Sequence, residues 1–188
     1  MNSRRPVLVV VDVQAGFINE HSRGVVPFVV RLVKAWVALG QPLVLTRFFN
    51  PPDSPYEQIT GWTGLRSPEE QHIVDELDPF AKAAAAVIDK PGSSAFTQEF
   101  SALVRKANWT DIVLAGIDTD ACVYDTALAA YHSGVRPWIV TDACASTGGP
   151  EYHEAALLLA GRNINRRNLL TTESLLSGKG GPLEGGAA

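Results

Sequence analysis

Val7-Leu8-Val9-Val10-Val11-Asp12 is a run of five apolar residues, four of them valine, that ends in a carboxylate. It is too short for a helix and has no polar alternate, the pattern of a strand covered on both faces in a parallel sheet. Outward from it, residues 42–49, 86–89, 111–115 and 138–141 share that character, and 163–170 is a weaker sixth candidate because its early residues are polar. Helical patterns lie between these runs. One spans 29–39 after Pro27, and another spans 94–107 after a Ser/Thr-rich turn. A third, 120–133, stops at Gly134, and a fourth, 150–160, carries Pro150 in its first turn and stops at Gly161. Strand and helix in alternation imply right-handed βαβ units. The expected architecture is therefore α/β, a doubly wound (Rossmann-like) three-layer α/β/α sandwich on a mostly parallel sheet of about six strands.

With 188 residues, 46% of them hydrophobic and 19% charged, the chain fits one globular domain. Residues 1–177 are read as that domain, and 178–188, Gly-rich with no apolar pattern, as a flexible tail. Sixteen basic against twenty acidic side chains give a net charge of −4, with no basic block longer than Arg4-Arg5 or Arg166-Arg167. That excludes a nucleic-acid footprint, which needs clustered cations. No apolar run approaches the ~18 residues of a membrane span. The apolar stretch at 7–11 is too short for a signal-peptide core, so a cytoplasmic protein is expected. Cys122 and Cys144 are too few for a disulfide framework or a four-ligand zinc site. His21, His72, His132 and His153 are scattered without metal-ligand spacing, and His153-Glu154 lacks the second histidine of a zincin helix. No metal and no cofactor are expected.

Several positions could carry chemistry. Asp12 ends the first strand, either as a helix cap or as a functional carboxylate at the sheet edge. Lys90 ends a strand and precedes Pro91, which biases it to an extended conformation; taken alone, such a lysine is ordinarily just solvated. Cys122 follows the fourth strand and the turn Gly116-Ile117-Asp118-Thr119, in the first turn of a helix whose stripe is Val123, Thr126, Ala127, Ala130 and Tyr131. Free amides and the helix dipole there favour a thiolate, Asp118 and Asp120 oppose it, and a buried structural cysteine is the plainer alternative. Together, three strand ends on one sheet edge would bring a carboxylate, an ammonium and a thiol to one crevice: base, orienting charge and nucleophile. Residues 50–70, with four prolines and little periodicity, leave the second strand on that same side, either lining a pocket or packing as a surface excursion.

At this point the sequence resembles a known family, the isochorismatase-like cysteine hydrolases. The resemblance rests on Val-Val-Asp12-Val-Gln14-x-x-Phe17, on Asp89-Lys90-x-Gly92-x-Ser94-Ala-Phe96, on Gly116-Ile117-Asp118-Thr119-x-x-Cys122-Val123 and on Thr141-Asp142-Ala143-Cys144-Ala145. These blocks stand in family order over roughly residues 6–170. The resemblance implies an Asp12–Lys90–Cys122 triad, a cis peptide between Ile117 and Asp118, and an oxyanion site made by the backbone amides of Asp118 and Cys122. It also implies a homo-oligomer, dimer or tetramer, acting on a small molecule. Cys144 is expected to be buried without chemistry.

Departures from the family narrow the activity. Members resembling nicotinamidases carry an Asp-x-His metal motif after the second strand, where this chain has Phe48 and Asn50. Members that cleave the vinyl ether of isochorismate typically lack the nucleophilic cysteine, so Cys122 points towards C–N bond hydrolysis of an amide, carbamoyl or lactam group through a thioester. The alternatives are a vinyl-ether hydrolase with Asp12 as general acid and a catalytically silent binding protein on the same scaffold. Phe17, Phe48, Trp62 and Tyr124 are candidate pocket rings, or plain core, and Arg47 and Asn50 candidate polar contacts to substrate.

Overall fold

The computed structural model describes residues 4–184. Six strands form one parallel sheet: β1 (Pro6–Val11), β2 (Leu43–Phe48), β3 (Ala86–Lys90), β4 (Asp111–Ile117), β5 (Arg136–Ala145) and β6 (Leu169–Leu170). Their spatial order is β3-β2-β1-β4-β5-β6, with every pairing parallel. The described helices are α1 (Val26–Ala38), α2 (Pro55–Thr60), α3 (Pro68–Gln71), α4 (Asp78–Ala81), α5 (Gln98–Ala107), α6 (Tyr124–His132), α7 (Pro150–Ala160) and α8 (Thr172–Leu176). None of them is long and apolar enough to cross a membrane.

β1 shows why this arrangement forms. Val7, Val9 and Val11 face one layer while Leu8 and Val10 face the other, and all five are at most 1% exposed. Burying such side chains contributes roughly 1.5–3 kcal/mol each. The Leu8 face packs on α1 through Val29, Leu32 and Trp36, with Leu175 of α8. The Val7 face packs on Phe100 and Val104 of α5 and on Ala127 and Ala130 of α6. Chain order reverses between β1 and β4, and that switch point opens a crevice beyond the carboxyl ends of the strands.

Gly116 makes the crevice tight. It pairs with Val11 at a φ of +124°, and a Cβ there would lie 2.1 Å from the Val11 carbonyl oxygen. Only glycine lets β4 close over the end of β1 in this way.

Several sequence expectations need correction. The sixth strand is two residues long, because the polar segment Gly161–Asn165 coils as a helical turn and only Leu169–Leu170 pairs with β5. Residues 50–70 are not featureless. Ser54 caps α2 and Ser67 caps α3, each followed by a proline at the first helical position. Two of the four prolines therefore start helices there, where their missing N–H costs nothing. Tyr131 leaves the apolar stripe of α6 and stands 56% exposed. At the carboxyl end, Gly181 and Pro182 are buried and Leu183 packs on the α1 side of the core; the rest of the expected tail, 185–188, lies outside the described residues.

Candidate active site

Three strand ends converge at the switch point. Asp12 follows β1, is fully buried, and sits at a φ of +50°, a left-handed conformation that costs an aspartate of order 1–3 kcal/mol unless its surroundings hold it. The holders are identifiable. Thr46 of β2 donates its hydroxyl to Asp12 Oδ1 at 2.6 Å and accepts the Asp12 amide at 3.2 Å. Gln14, also fully buried, donates to the Phe48 and Gln71 carbonyls and accepts the Phe48 amide at 2.7 Å, locking the chain after β1 to the end of β2.

Lys90 ends β3 at 1% exposure, with its Nζ 2.7 Å from Asp12 Oδ2. The following loop curls round the ammonium, so that Nζ also donates to the Gly92 and Ser93 carbonyls at 2.9 and 2.8 Å. Burial alone would lower the lysine pKa, but the charges of Asp12 and Cys122 carry it above its ordinary value. Asp12 Oδ2 accepts no directed hydrogen bond among the described residues, so its contact with Nζ is charge against charge.

Cys122 lies in a π-helical turn, Thr119–Val123, that runs into α6. The Ile117–Asp118 peptide before it is cis. Thr126 of α6 donates its hydroxyl to the Cys122 carbonyl at 2.6 Å and accepts the Ala95 amide, which ties this turn to the loop after β3. Burial, then the Asp12 charge, pushes the Cys122 thiol well above its ordinary pKa, against the pull of Lys90. Of the opposing local influences on this thiol, desolvation works against the thiolate that the helix start favours. Cys144 is buried too, and burial lifts its thiol to about 12.

Cys122 forms part of the floor of a cavity of about 350 Å³. One wall is aromatic. Phe17 and Trp62 stack at 6.0 Å between centroids and 8° between planes, and Tyr56 meets Trp62 edge-on at 5.5 Å. Phe48 closes the group 6.0 Å from Trp62, with Lys90 Nζ 5.2 Å from its ring centre. The polar lining residues are Ser93, Asp118, Asn19 and Thr147. Asn19 donates to the Thr147 carbonyl, and Asp118 accepts both the Thr147 amide and its hydroxyl, at 2.6 and 2.8 Å.

Of the residues singled out in the sequence, Cys122, Asp118, Phe17, Phe48 and Trp62 line the cavity, and Asp12 and Lys90 are buried beside Cys122; Arg47, Asn50 and Tyr124 do not line it. Arg47 pairs with Asp89, its register partner on β3, and lies over Phe49. Strand alternation turns it away from the face that Thr46 and Phe48 share. Tyr124 comes two residues after Cys122, about 200° round a helix, and its hydroxyl accepts from Asn163. Asn50 is buried and acts on backbone: it donates to the Trp62 and Gly64 carbonyls and accepts from Ser54. Sequence reasoning missed Tyr56, whose only signal is an aromatic in the first turn of a Ser-Pro-capped helix, and the Asp118–Thr147 link, which no local pattern reveals.

The positions where some relatives place metal ligands do not suit a metal. Phe48 has no donor, and the Asn50 amide is consumed in holding the segment that carries Trp62. Elsewhere, His72, Asp75 and Asp78 bring ligand atoms within 4.8 Å of one another, a grouping the scattered histidines did not suggest, but all three are exposed and none lines the cavity.

The switch-point crevice, with a carboxylate, an ammonium and a thiol at its base and an aromatic wall above, defines an α/β sandwich of the enzyme type. The isochorismatase domain model matches residues 6–165, and the chain belongs to the isochorismatase family, a family of hydrolases. It is 24% identical to nicotinamidase 3 of Arabidopsis thaliana over 162 residues, 84% of this chain and 81% of that protein. It is similar to the crystal structure of nicotinamidase from Bacillus subtilis, with a TM-score of 0.79 and 25% identity, covering 88% of this chain and 99% of that one. The fold is also that of N-carbamoylsarcosine amidase from Thermoplasma acidophilum, with a TM-score of 0.77 and 24% identity, covering 90% and 97% of the two chains.

Proposed function

We propose that this protein hydrolyses a C–N bond of a small amide, carbamoyl or lactam compound through a thioester on Cys122. The observation that carries the reading is the fully buried Asp12–Lys90 pair, 2.7 Å apart, set against the Cys122 thiol at the floor of the aromatic cavity. A buried ion pair is weak evidence of stabilisation, since desolvation offsets most of its attraction. Placed beside a thiol and a cavity, it is what a proton-transfer site requires.

Asp12 takes the thiol proton on Oδ2 as the sulfur attacks the substrate carbonyl, and Lys90 balances the negative charge that moves between sulfur and carboxylate. The oxyanion is held by the backbone amides of Asp118 and Cys122; losing one donor in such a site costs about 10²–10³-fold in rate. Collapse of the intermediate breaks the C–N bond, and Asp12 returns its proton to the departing nitrogen. Water then attacks the thioester carbonyl and gives a proton to Asp12; on collapse the carboxylic product leaves and the sulfur recovers its proton. The kinship with a nicotinamidase and the presence of Cys122 both support amide over ether chemistry.

Cys122→Ala tests the scheme. The variant should fold normally, because a methyl group fills most of the thiol's place, and should lose turnover of a small-amide panel by at least about 10⁴-fold. Peptide mapping after iodoacetamide should place the label on Cys122, with Cys144 unmodified in folded protein. Near-normal activity in Cys122→Ala would defeat the covalent scheme and return the site to Asp12 acting as a general acid.

A further inference from the structure

The cavity is unusual in its charge. Among the described residues that line it there is no Lys, Arg or His. Around it, Lys90 is engaged by Asp12 and by the Gly92 and Ser93 carbonyls, Arg47 by Asp89, and Arg66 by Glu57 and the Asn50 carbonyl, while Arg23 donates through Nε to the carbonyl of the lining residue Asn19. His153 is bonded through Nδ1 to the Thr119 hydroxyl, and burial lowers its pKa. The same cavity is lined by a carboxyl residue, Asp118, whose side chain is fixed by two hydrogen bonds from Thr147 with acceptor capacity to spare. Burial raises its pKa to about 6, so at neutral pH it is mainly ionised. Phe17, Phe48, Tyr56 and Trp62 present ring faces and edges to the same space.

We propose that this cavity selects a small amide whose non-reacting end is a cation, a protonated or quaternary amine, with Asp118 as the specificity-determining charge and the four rings as the cage around it. Ring faces attract a cation, and a desolvated carboxylate lining the same cavity adds a counter-charge. A carboxylate-bearing substrate would meet Asp118 in a cavity whose described lining offers no cation to pair with, an unfavourable arrangement. A cavity of about 350 Å³ limits the ligand to a single ring or its equivalent in size. The inference rests on reading this cavity as the substrate site of the proposed hydrolase.

The test is equilibrium binding, which needs no chemistry. Calorimetry on the full chain at pH 7.5 would compare phenyltrimethylammonium, benzyl alcohol and benzoate. The cation should bind about tenfold or more tighter than the neutral probe, and benzoate about a further tenfold weaker. Asp118→Asn should bring the cation to within about twofold of benzyl alcohol, and Trp62→Leu, on a part-exposed ring outside the sheet, should weaken the cation at least about fivefold. Equal affinity for all three probes, tighter binding of benzoate, or no binding at millimolar concentration would each overturn the proposal. If Asp118→Asn does not fold, the probe ranking and Trp62→Leu still decide. The ranking should persist in Cys122→Ala. A protein that ranks the probes as stated but shows no Cys122-dependent amide turnover would keep the cation site and lose the hydrolase reading; the reverse pattern would do the opposite.

Discussion

Asp12 directly follows β1, Lys90 is the last residue of β3 and Cys122 lies in the turn after β4, all nearly without exposure, whereas Tyr56 and Trp62 stand on the segment between β2 and β3, and Tyr56 is 48% exposed. The first region is held by the sheet and by charge. The second is held by a few polar clips: Asn50 on the Trp62 and Gly64 carbonyls, Ser54 on Asn50, and Arg66 on Glu57. The contrast teaches a division of labour. Groups that must keep a fixed geometry while charge moves sit where the backbone cannot yield, and groups that meet the ligand sit on a short, replaceable segment.

Damage to the two regions should therefore differ in kind. Lys90→Met is expected to have the largest effect on folding, because it leaves the Asp12 carboxylate buried without a counter-charge. A loss of about 3–5 kcal/mol in urea unfolding, together with loss of turnover, is expected. A loss below about 1 kcal/mol would mean that the pair is not desolvated, and the contrast would fail.

Asn50→Ala should act on the second region alone. It frees two carbonyls and one hydroxyl, costing about 1–3 kcal/mol locally. Steady-state kinetics should show KM raised about tenfold with kcat changed less than about threefold, and limited proteolysis should cut faster between residues 50 and 66. An effect confined to kcat would place this segment in the chemistry instead.

A subtler difference should appear with pH. Asp118 holds its folded-state carboxyl near 6, through burial partly opposed by the Thr147 hydrogen bonds, against an ordinary value of 3.8. Between those two values the folded chain binds a proton that the unfolded chain does not, so this group makes the fold more stable as pH falls from about 6 towards 4. Unfolding curves of wild type and Asp118→Asn should converge or diverge in that window by this term, with the wild type gaining on the variant as acid is added. Parallel curves would mean that the carboxyl is solvated. The smallest effect is expected from Arg47→Ala. Its pair with Asp89 is surface-exposed, and removing it should change stability by less than about 0.5 kcal/mol and kcat/KM by less than about twofold.

The sheet and its chemistry were legible because each depends on local pattern. The Val7–Val11 run could only be a two-sided strand, and a strand's end fixes where Asp12 or Lys90 emerges. The blocks around Asp12, Lys90 and Cys122 sit at strand ends for the same reason. Arg47 and Tyr124 are only candidates for the pocket from proximity in sequence, and period two along β2 and the turn of α6 argue against both. Tyr56 and the Asp118–Thr147 link were not legible at all.

By itself, then, the sequence determined the alternation of strand and helix, the parallel sheet, the family and the residues at the strand ends, because periodicity, capping and motif spacing are properties of neighbours along the chain. Only the tertiary structure decided that burial raises the Cys122 thiol's pKa, that Asn50 clips a loop, and that aromatic rings and Asp118 line one cavity with no Lys, Arg or His among its described lining residues. Those facts depend on desolvation and on contacts between residues dozens of positions apart, and the free energy of a buried charge is set by whatever the fold brings next to it.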